Sequence, residues 1–323
     1  MSMDITRYLD YNHFFCCACE VGNERIVQFL LTSVRNKINV NCQNGLPLIM
    51  ACRNGYMNLV ILLVEKYCAI ASELALTHAC KHGHIEIATR MISRYSVSPD
   101  ACEGWALIEA CDNGYAHVVE MLLEAGADPR SKDQLGLNKA CSNGYMEILD
   151  IFLKIGNISF SDAFVWACWN GRLSIMKRLW TMRNDDCRKC YLQDVYEKMC
   201  EKGEYAAVES FLTLLSDQIR MDYNGGFIKA CCNGHFSIVK MLINQESAVD
   251  VNVSNGLPLI KACMHGRTEI VKLLLDNDAR VMSELKVDDI KHADIKELIL
   301  KSNALHSPPA KKQRVVVNNW NPC

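Results

Sequence analysis

The sequence lacks a membrane span: the apolar run Phe14-Phe15-Cys16-Cys17-Ala18-Cys19 falls far short of the roughly 20 residues needed to cross a bilayer. The N-terminus, Met1-Ser2-Met3-Asp4, lacks the basic segment of a secretory signal peptide, so neither secretion nor membrane insertion is expected. Charge of one sign is not in excess either. The 35 Lys and Arg against 37 Asp and Glu leave a formal charge of -2, which calls for neither nucleic acid nor anionic lipid as a partner. Catalytic signatures are missing as well. There is no Gly-x-Ser-x-Gly elbow, no His-Glu-x-x-His and no phosphate-cradling glycine loop, so no enzyme activity, cofactor or metal is expected.

Cysteine is abundant, at 18 residues in 323. In a short secreted chain that number would suggest a disulfide scaffold. Nine of these cysteines, however, hold one repeated slot: Cys19, Cys52, Cys80, Cys111, Cys141, Cys168, Cys200, Cys231 and Cys263. Each follows a small residue in most copies and precedes a glycine by three positions, as in Ala51-Cys52-Arg53-Asn54-Gly55. The glycines recur every 27 to 33 residues, the period of a solenoid built from helix pairs. Copies buried one per repeat lie too far apart to meet the roughly 7 Å Cα limit of a disulfide. They read as small buried hydrophobes, and reduced thiols in such number suit an intracellular compartment.

The phrase sits between two apolar patterns. Seven residues before each glycine stands a large apolar residue, such as Phe15, Leu48, Leu107 or Phe227. Four, five, eight and nine residues after it come more, such as Leu59, Val60, Leu63 and Val64 after Gly55. The first pattern predicts a short helix that the glycine ends in a left-handed turn; the second predicts one stripe of a following helix. A chain of this length would normally form two domains, since a single core rarely grows beyond about 250–300 residues. A solenoid escapes that limit because each unit packs only on its neighbours.

Leu257-Pro258-Leu259-Ile260 through Gly266, Leu46-Pro47-Leu48-Ile49 through Gly55, and Gly83-His84 resemble the ankyrin repeat, and the likeness extends over roughly residues 10–282. The Thr and His that open the family's first helix are absent, and cysteine replaces its second alanine. The cysteine-rich style is similar to ankyrin proteins of giant DNA viruses. The resemblance implies an all-α, ankyrin-type helix-pair solenoid of about nine repeats with short or missing β-hairpin fingers. Asp128-Pro129 looks like the start of such a finger, whereas Lys154-Ile155-Gly156-Asn157-Ile158 leads almost directly into the next helix. Along the chain we expect an N-terminal cap over residues 1–12, with Ile5 and Leu9 as its inner stripe, and the solenoid over 13–282. A C-terminal capping helix over 283–303 and a disordered basic tail over 304–323 follow.

The resemblance further implies a protein-binding module whose concave face meets an unidentified partner protein. The slot just after the repeated cysteine varies freely through Glu20, Arg53, Lys81, Asp112, Ser142, Trp169, Glu201, Cys232 and Met264. Arg53, Lys81, Trp105, Asp112, Ser142, Trp169 and Met264 are the candidate partner-binding residues, with Lys132, Asp133 and Gln134 beside them. Trp169 has a plainer alternative, packing on Trp166. Because the slot mixes both signs of charge, nucleic acid is ranked low. An adaptor that recruits substrates to a larger complex, such as a ubiquitin ligase, is the alternative function, although no docking module is recognisable.

Lys311, Lys312 and Arg314 follow two prolines and resemble a nuclear localisation signal, which implies an import receptor as a second partner and a cytoplasmic and nuclear distribution. Ser307-Pro308 resembles a proline-directed phosphorylation site beside them. Cys187-Arg188-Lys189-Cys190 lacks the second pair that a zinc site requires, and His82-Gly83-His84 falls at repeat positions, so both read as structural.

Overall fold

The recurring phrase folds as a helix terminus. In a computed structural model, which describes residues 10–156, 158–181, 188–215, 221–245, 249–280 and 290–306, each repeated glycine adopts a left-handed conformation, with φ between 63° and 90°. At Gly114 its N–H donates to the Cys111 carbonyl, 3.4 Å away, and the next N–H, of Tyr115, donates to the Ala110 carbonyl at 3.0 Å. This two-bond closure satisfies carbonyls that the end of a helix leaves open. The alanine and cysteine of the phrase thus supply both the buried face and the last acceptors of the first helix.

The chain divides into two units. The first comprises residues 1–185 and 209–217, the second 186–208 and 218–323. In the first unit the helices come in pairs: α1 (Tyr11–Val21) with α2 (Glu24–Ser33), α3 (Cys42–Arg53) with α4 (Met57–Ile61), and α5 (Glu73–Lys81) with α6 (Ile85–Ser93). Then follow α7 (Ala101–Asp112) with α8 (Ala116–Glu124), α9 (Ser131–Asn143) with α10 (Met146–Ile155), and α11 (Ser161–Trp169) with α12 (Leu173–Thr181). The first helix of each pair packs on the first helix of the next, from α1 through α11, while the second helices from α4 to α12 form a parallel outer layer.

The second unit holds α13 (Arg188–Lys202) and the start of α14 (Tyr205–Leu215), within which the division falls. It continues with α15 (Asn224–Asn233), α16 (Phe236–Asn244), α17 (Val253–Met264), α18 (Thr268–Asp276) and α19 (Ala293–His306). Here α13, α15 and α17 stack, and α19 packs on α18. The architecture is all-α paired-helix repeats, with no β-strand among the described residues.

The expected apolar positions form the cores. The large residue seven before each glycine is at most 3% exposed in every unit, and all nine repeated cysteines are buried. In the second helices the positions four, five and eight after the glycine are buried, whereas the ninth is half-buried in most units, for example Val64 and Ile92. The exception is Ile26, 48% exposed in the first pair.

Neighbouring units are tied by two ladders. An Asx side chain before the first helix accepts from a backbone N–H of the next unit: Asp128 N–H to Asp100 Oδ1 at 2.7 Å, and Arg280 N–H to Asn252 Oδ1 at 2.8 Å. In most pairs the residue after the glycine reaches back over the glycine of the preceding pair. A Cβ on Gly83 would lie 2.6 Å from the Tyr115 ring, and one on Gly234 would lie 2.9 Å from Arg267.

The finger expected at Asp128-Pro129 is not a β-hairpin. Lys132, Asp133 and Gln134 are all left-handed, and the Gln134 N–H closes onto the Arg130 carbonyl at 3.2 Å. The same single left-handed turn occurs at Gln43-Asn44-Gly45, Cys102-Glu103-Gly104 and Ser254-Asn255-Gly256. Too few residues separate the helices for two paired strands, so the chain reverses within one turn, at a cost of about 1–2 kcal/mol per non-glycine residue.

At the C-terminal end Ile290, Ile295 and Ile299 are buried and Leu298 is half-buried. The helix starts at Ala293 and runs through His306, past the expected boundary at 303, because Ala304 and Leu305 are good helix formers. Residues 1–9 and 307–323, which include Lys311, Lys312 and Arg314, lie outside the described residues, as do Cys187 and the side chain of Cys190.

Candidate protein-interaction surface

The repeated cysteine and the residue after it face different environments. Cys52, Cys80, Cys111, Cys141 and Cys168 are fully buried in the first unit, as are Cys200, Cys231 and Cys263 in the second. Burial pushes the thiols of Cys52, Cys80, Cys141, Cys200 and Cys263 up to about 12, and it raises those of Cys19, Cys111, Cys168 and Cys231 as well. A thiol so placed carries almost no thiolate at neutral pH, and thiolate is the reactive and metal-binding form. No group of three or more described His, Cys, Asp or Glu side chains could hold a metal ion.

The next residue is never buried. Arg53 and Met264 are exposed, Met264 by 62%, and Lys81, Asp112, Ser142 and Trp169 are half-buried. Its backbone is nevertheless fixed by the following unit. The Arg53 carbonyl lies 2.9 Å from His84 Nε2, the Ser142 carbonyl accepts from Arg172 Nε at 2.7 Å, and the Cys232 carbonyl accepts from Arg267 Nε at 3.3 Å. The slot therefore pairs an anchored main chain with a side chain at the surface. His84 belongs to this ladder, which bears out its structural reading.

Several slot side chains are held by neighbours that the sequence reading did not name. Lys81 pairs with Glu109 at 3.2 Å; Asp112 pairs with Lys139 at 2.7 Å and accepts from Asn143 Nδ2 at 3.0 Å. These partners lie 27 to 31 residues along, one repeat away, so the signal was the repeat period itself. Arg53 has no ion pair among the described residues, and burial together with the nearby His82 and Arg53 holds His78 below the usual histidine range.

Aromatic side chains extend the same face. Trp105 is 37% exposed, with the Lys132 ammonium 5.4 Å from its ring centre, and Lys132 also pairs with Glu103. The Trp166 and Trp169 rings lie 6.3 Å apart at 47°. The geometry thus brings Trp105 together with Lys132, and Trp169 with Trp166.

Residues 70–133 and 198–284 match the sequence model of the family described as ankyrin repeats (3 copies). These two stretches, 151 of the 323 residues, resemble ankyrin repeats. The chain is also similar to the ankyrin repeat and KH domain-containing protein mask-1 of Caenorhabditis elegans, with 31% identity over 116 residues. That stretch is 35% of this chain but only 4% of the relative's length. Ankyrin repeats serve in general as non-catalytic protein-interaction scaffolds. No helix among the described residues is long and apolar enough to cross a membrane.

Proposed function

We propose that the first-helix layer binds a partner protein through the slot after each repeated cysteine. Arg53, Lys81, Trp105, Asp112, Ser142 and Trp169 are the contact residues of the first unit, and Met264 is the contact residue of the second. The observation that carries this reading is the contrast at adjacent positions: the cysteine is buried and constant, whereas its neighbour is at least partly accessible in every unit and varies from acidic to basic, polar, aromatic and aliphatic. Invariant packing beside varied surface chemistry is what a recognition scaffold requires, and large side chains such as Trp and Arg are the usual anchors of binding energy.

Affinity capture with the wild type and with Arg53→Glu/Trp169→Ala, each quantified by mass spectrometry, tests this. The variant should retain its melting temperature and lose the specific partner. Unchanged capture would sink the assignment. A Trp169→Ala chain that fails to fold would instead mark Trp169 as packing on Trp166. The basic tail is read as a nuclear import signal on sequence grounds, and unchanged nuclear entry of a fluorescent fusion lacking residues 304–323 would overturn that reading.

A further inference from the structure

Successive first helices are matched in charge along one diagonal, on which the slot residue of one helix meets the position five residues before the glycine on the next. Lys81 pairs with Glu109 at 3.2 Å, Asp112 with Lys139 at 2.7 Å and, in the second unit, Glu201 with Lys229 at 3.5 Å. Each pair sets an ammonium against a carboxylate, although the order of the two signs changes from pair to pair. At these places the face neutralises itself and leaves little net field for a charged partner to meet.

Between α3 and α5 the diagonal pair is Arg53 and His78, and the carboxylate is missing. Arg53 is exposed, and its guanidinium makes no ion pair among the described residues. Glu20, in the slot of the preceding helix, does not bridge to it and has Met50 as its own diagonal neighbour. His78 is half-buried, with its Nδ1 enclosed and without a hydrogen-bond partner. The charged and titratable groups around it are Arg53 on α3, Lys81 and His82 at the end of its own helix, and Glu109 on α7. Glu109, the carboxylate of that set, is engaged by Lys81. Burial, then His82, Arg53 and Lys81, hold His78 below the usual histidine range; burial, then Arg53, His84 and Lys81, do the same to His82. Two imidazoles are thus kept neutral beside an unmatched guanidinium.

A carboxylate brought there from outside would complete the diagonal. It would pair with Arg53 in the bidentate geometry that a guanidinium favours, and it would promote protonation of His78, which Arg53 now opposes. An isolated carboxylate suits the place better than a row of phosphates. Glu20 and Asp112 occupy the slots on either side of Arg53 and Lys81, and they repel a polyanion whose charges recur every few ångströms.

We propose that the partner of the slot face presents an Asp or Glu side chain to the gap between Arg53 and His78, and so supplies the carboxylate that the repeat ladder lacks. With the slot face as the binding surface, on which this assignment rests, the partner is a protein with one acidic anchor at the α3–α5 register. Because the bound carboxylate favours the imidazolium of His78, binding takes up protons and strengthens as pH falls below neutrality.

Random dodecapeptides displayed on phage, selected on the full wild-type chain and screened against Arg53→Met, test this. Arg53 is exposed, so the variant should keep the wild-type melting temperature. Peptides that prefer wild type should share an Asp or Glu, and a synthetic winner should bind Arg53→Met at least about fivefold more weakly. It should bind wild type about fivefold to tenfold more tightly near pH 5.5 than near pH 8, and lose that dependence when its acidic residue becomes Gln. Selected peptides with no shared acidic residue, or a winner with equal affinity for Arg53→Met or at both pH values, would overturn the proposal. So would oligothymidylate that binds wild type and not Arg53→Met, because phosphate would then fill the gap. If the selected peptides ignore Arg53→Met but are lost on Trp169→Ala, the slot face still binds and the acidic anchor alone falls. Peptides that bind wild type, Arg53→Met and Trp169→Ala alike would overturn the slot face as well.

Discussion

Replacing Gly83 with alanine separates the two constraints on the repeated glycine. The first is conformational: φ is +77°, where a Cβ costs about 1–2 kcal/mol. The second is steric, since that Cβ would lie 2.6 Å from the Tyr115 ring of the next pair. Displacing the ring adds about 1–3 kcal/mol, the usual cost of overpacking. Gly83→Ala should therefore lose about 2–5 kcal/mol. Gly126 provides the control: its φ is +95°, and a Cβ there would meet nothing within 4 Å. Gly126→Ala should lose only the conformational part, about 1–2 kcal/mol. Urea unfolding of both variants, and of Gly83→Ala in a Tyr115→Ala background, reads the difference. A coupling of about 1–3 kcal/mol between positions 83 and 115 is expected. Equal losses at Gly83 and Gly126 with no coupling would refute the view that the glycine also serves the contact between repeats.

Other outcomes follow from the same structure. Cys111→Ser buries a hydroxyl where a thiol was fully enclosed, and equilibrium unfolding should show a loss of about 1–3 kcal/mol. In native protein the Cys111 thiol should resist a disulfide reagent that labels the exposed Cys68, as mass mapping would show. Asn252→Ala removes the acceptor of Arg280 N–H and the donor to the Asp278 carbonyl, and thermal melting should register a loss of about 1–3 kcal/mol. His78 is held below its usual range, chiefly by burial, so as pH falls through 6.5 the unfolded chain takes up its proton first. Stability should therefore be fully present above pH 6.5 and decline below it until the folded group protonates. A pH series of melting temperatures should become flatter in His78→Gln.

The paired helices were legible because their signals are local. Ala110 and Cys111 mark the buried face, and Gly114 ends the helix through bonds spanning only a few residues. Helix boundaries were less so, as α19 shows by running on through Ala304, Leu305 and His306. The left-handed turn at Lys132-Asp133-Gln134 escaped sequence reading because none of its three residues is glycine, the usual mark of positive φ. Pairs such as Asp112 with Lys139 depend on register between units, which single-position patterns do not carry. The slot itself was visible as a variable column, but its anchored carbonyl was not. His84 gave no hint that its ring reaches back to the Arg53 carbonyl.

The central claim assigns opposite roles to neighbouring residues, and Cys52 and Arg53 test it most directly. Melting temperature and partner capture per folded molecule should be measured side by side for Cys52→Ser and Arg53→Glu. The account predicts that Cys52→Ser lowers the melting temperature and keeps capture, while Arg53→Glu keeps the melting temperature and weakens capture. The reverse pattern, a stable Cys52→Ser chain that no longer binds beside an Arg53→Glu chain that binds normally, would contradict it.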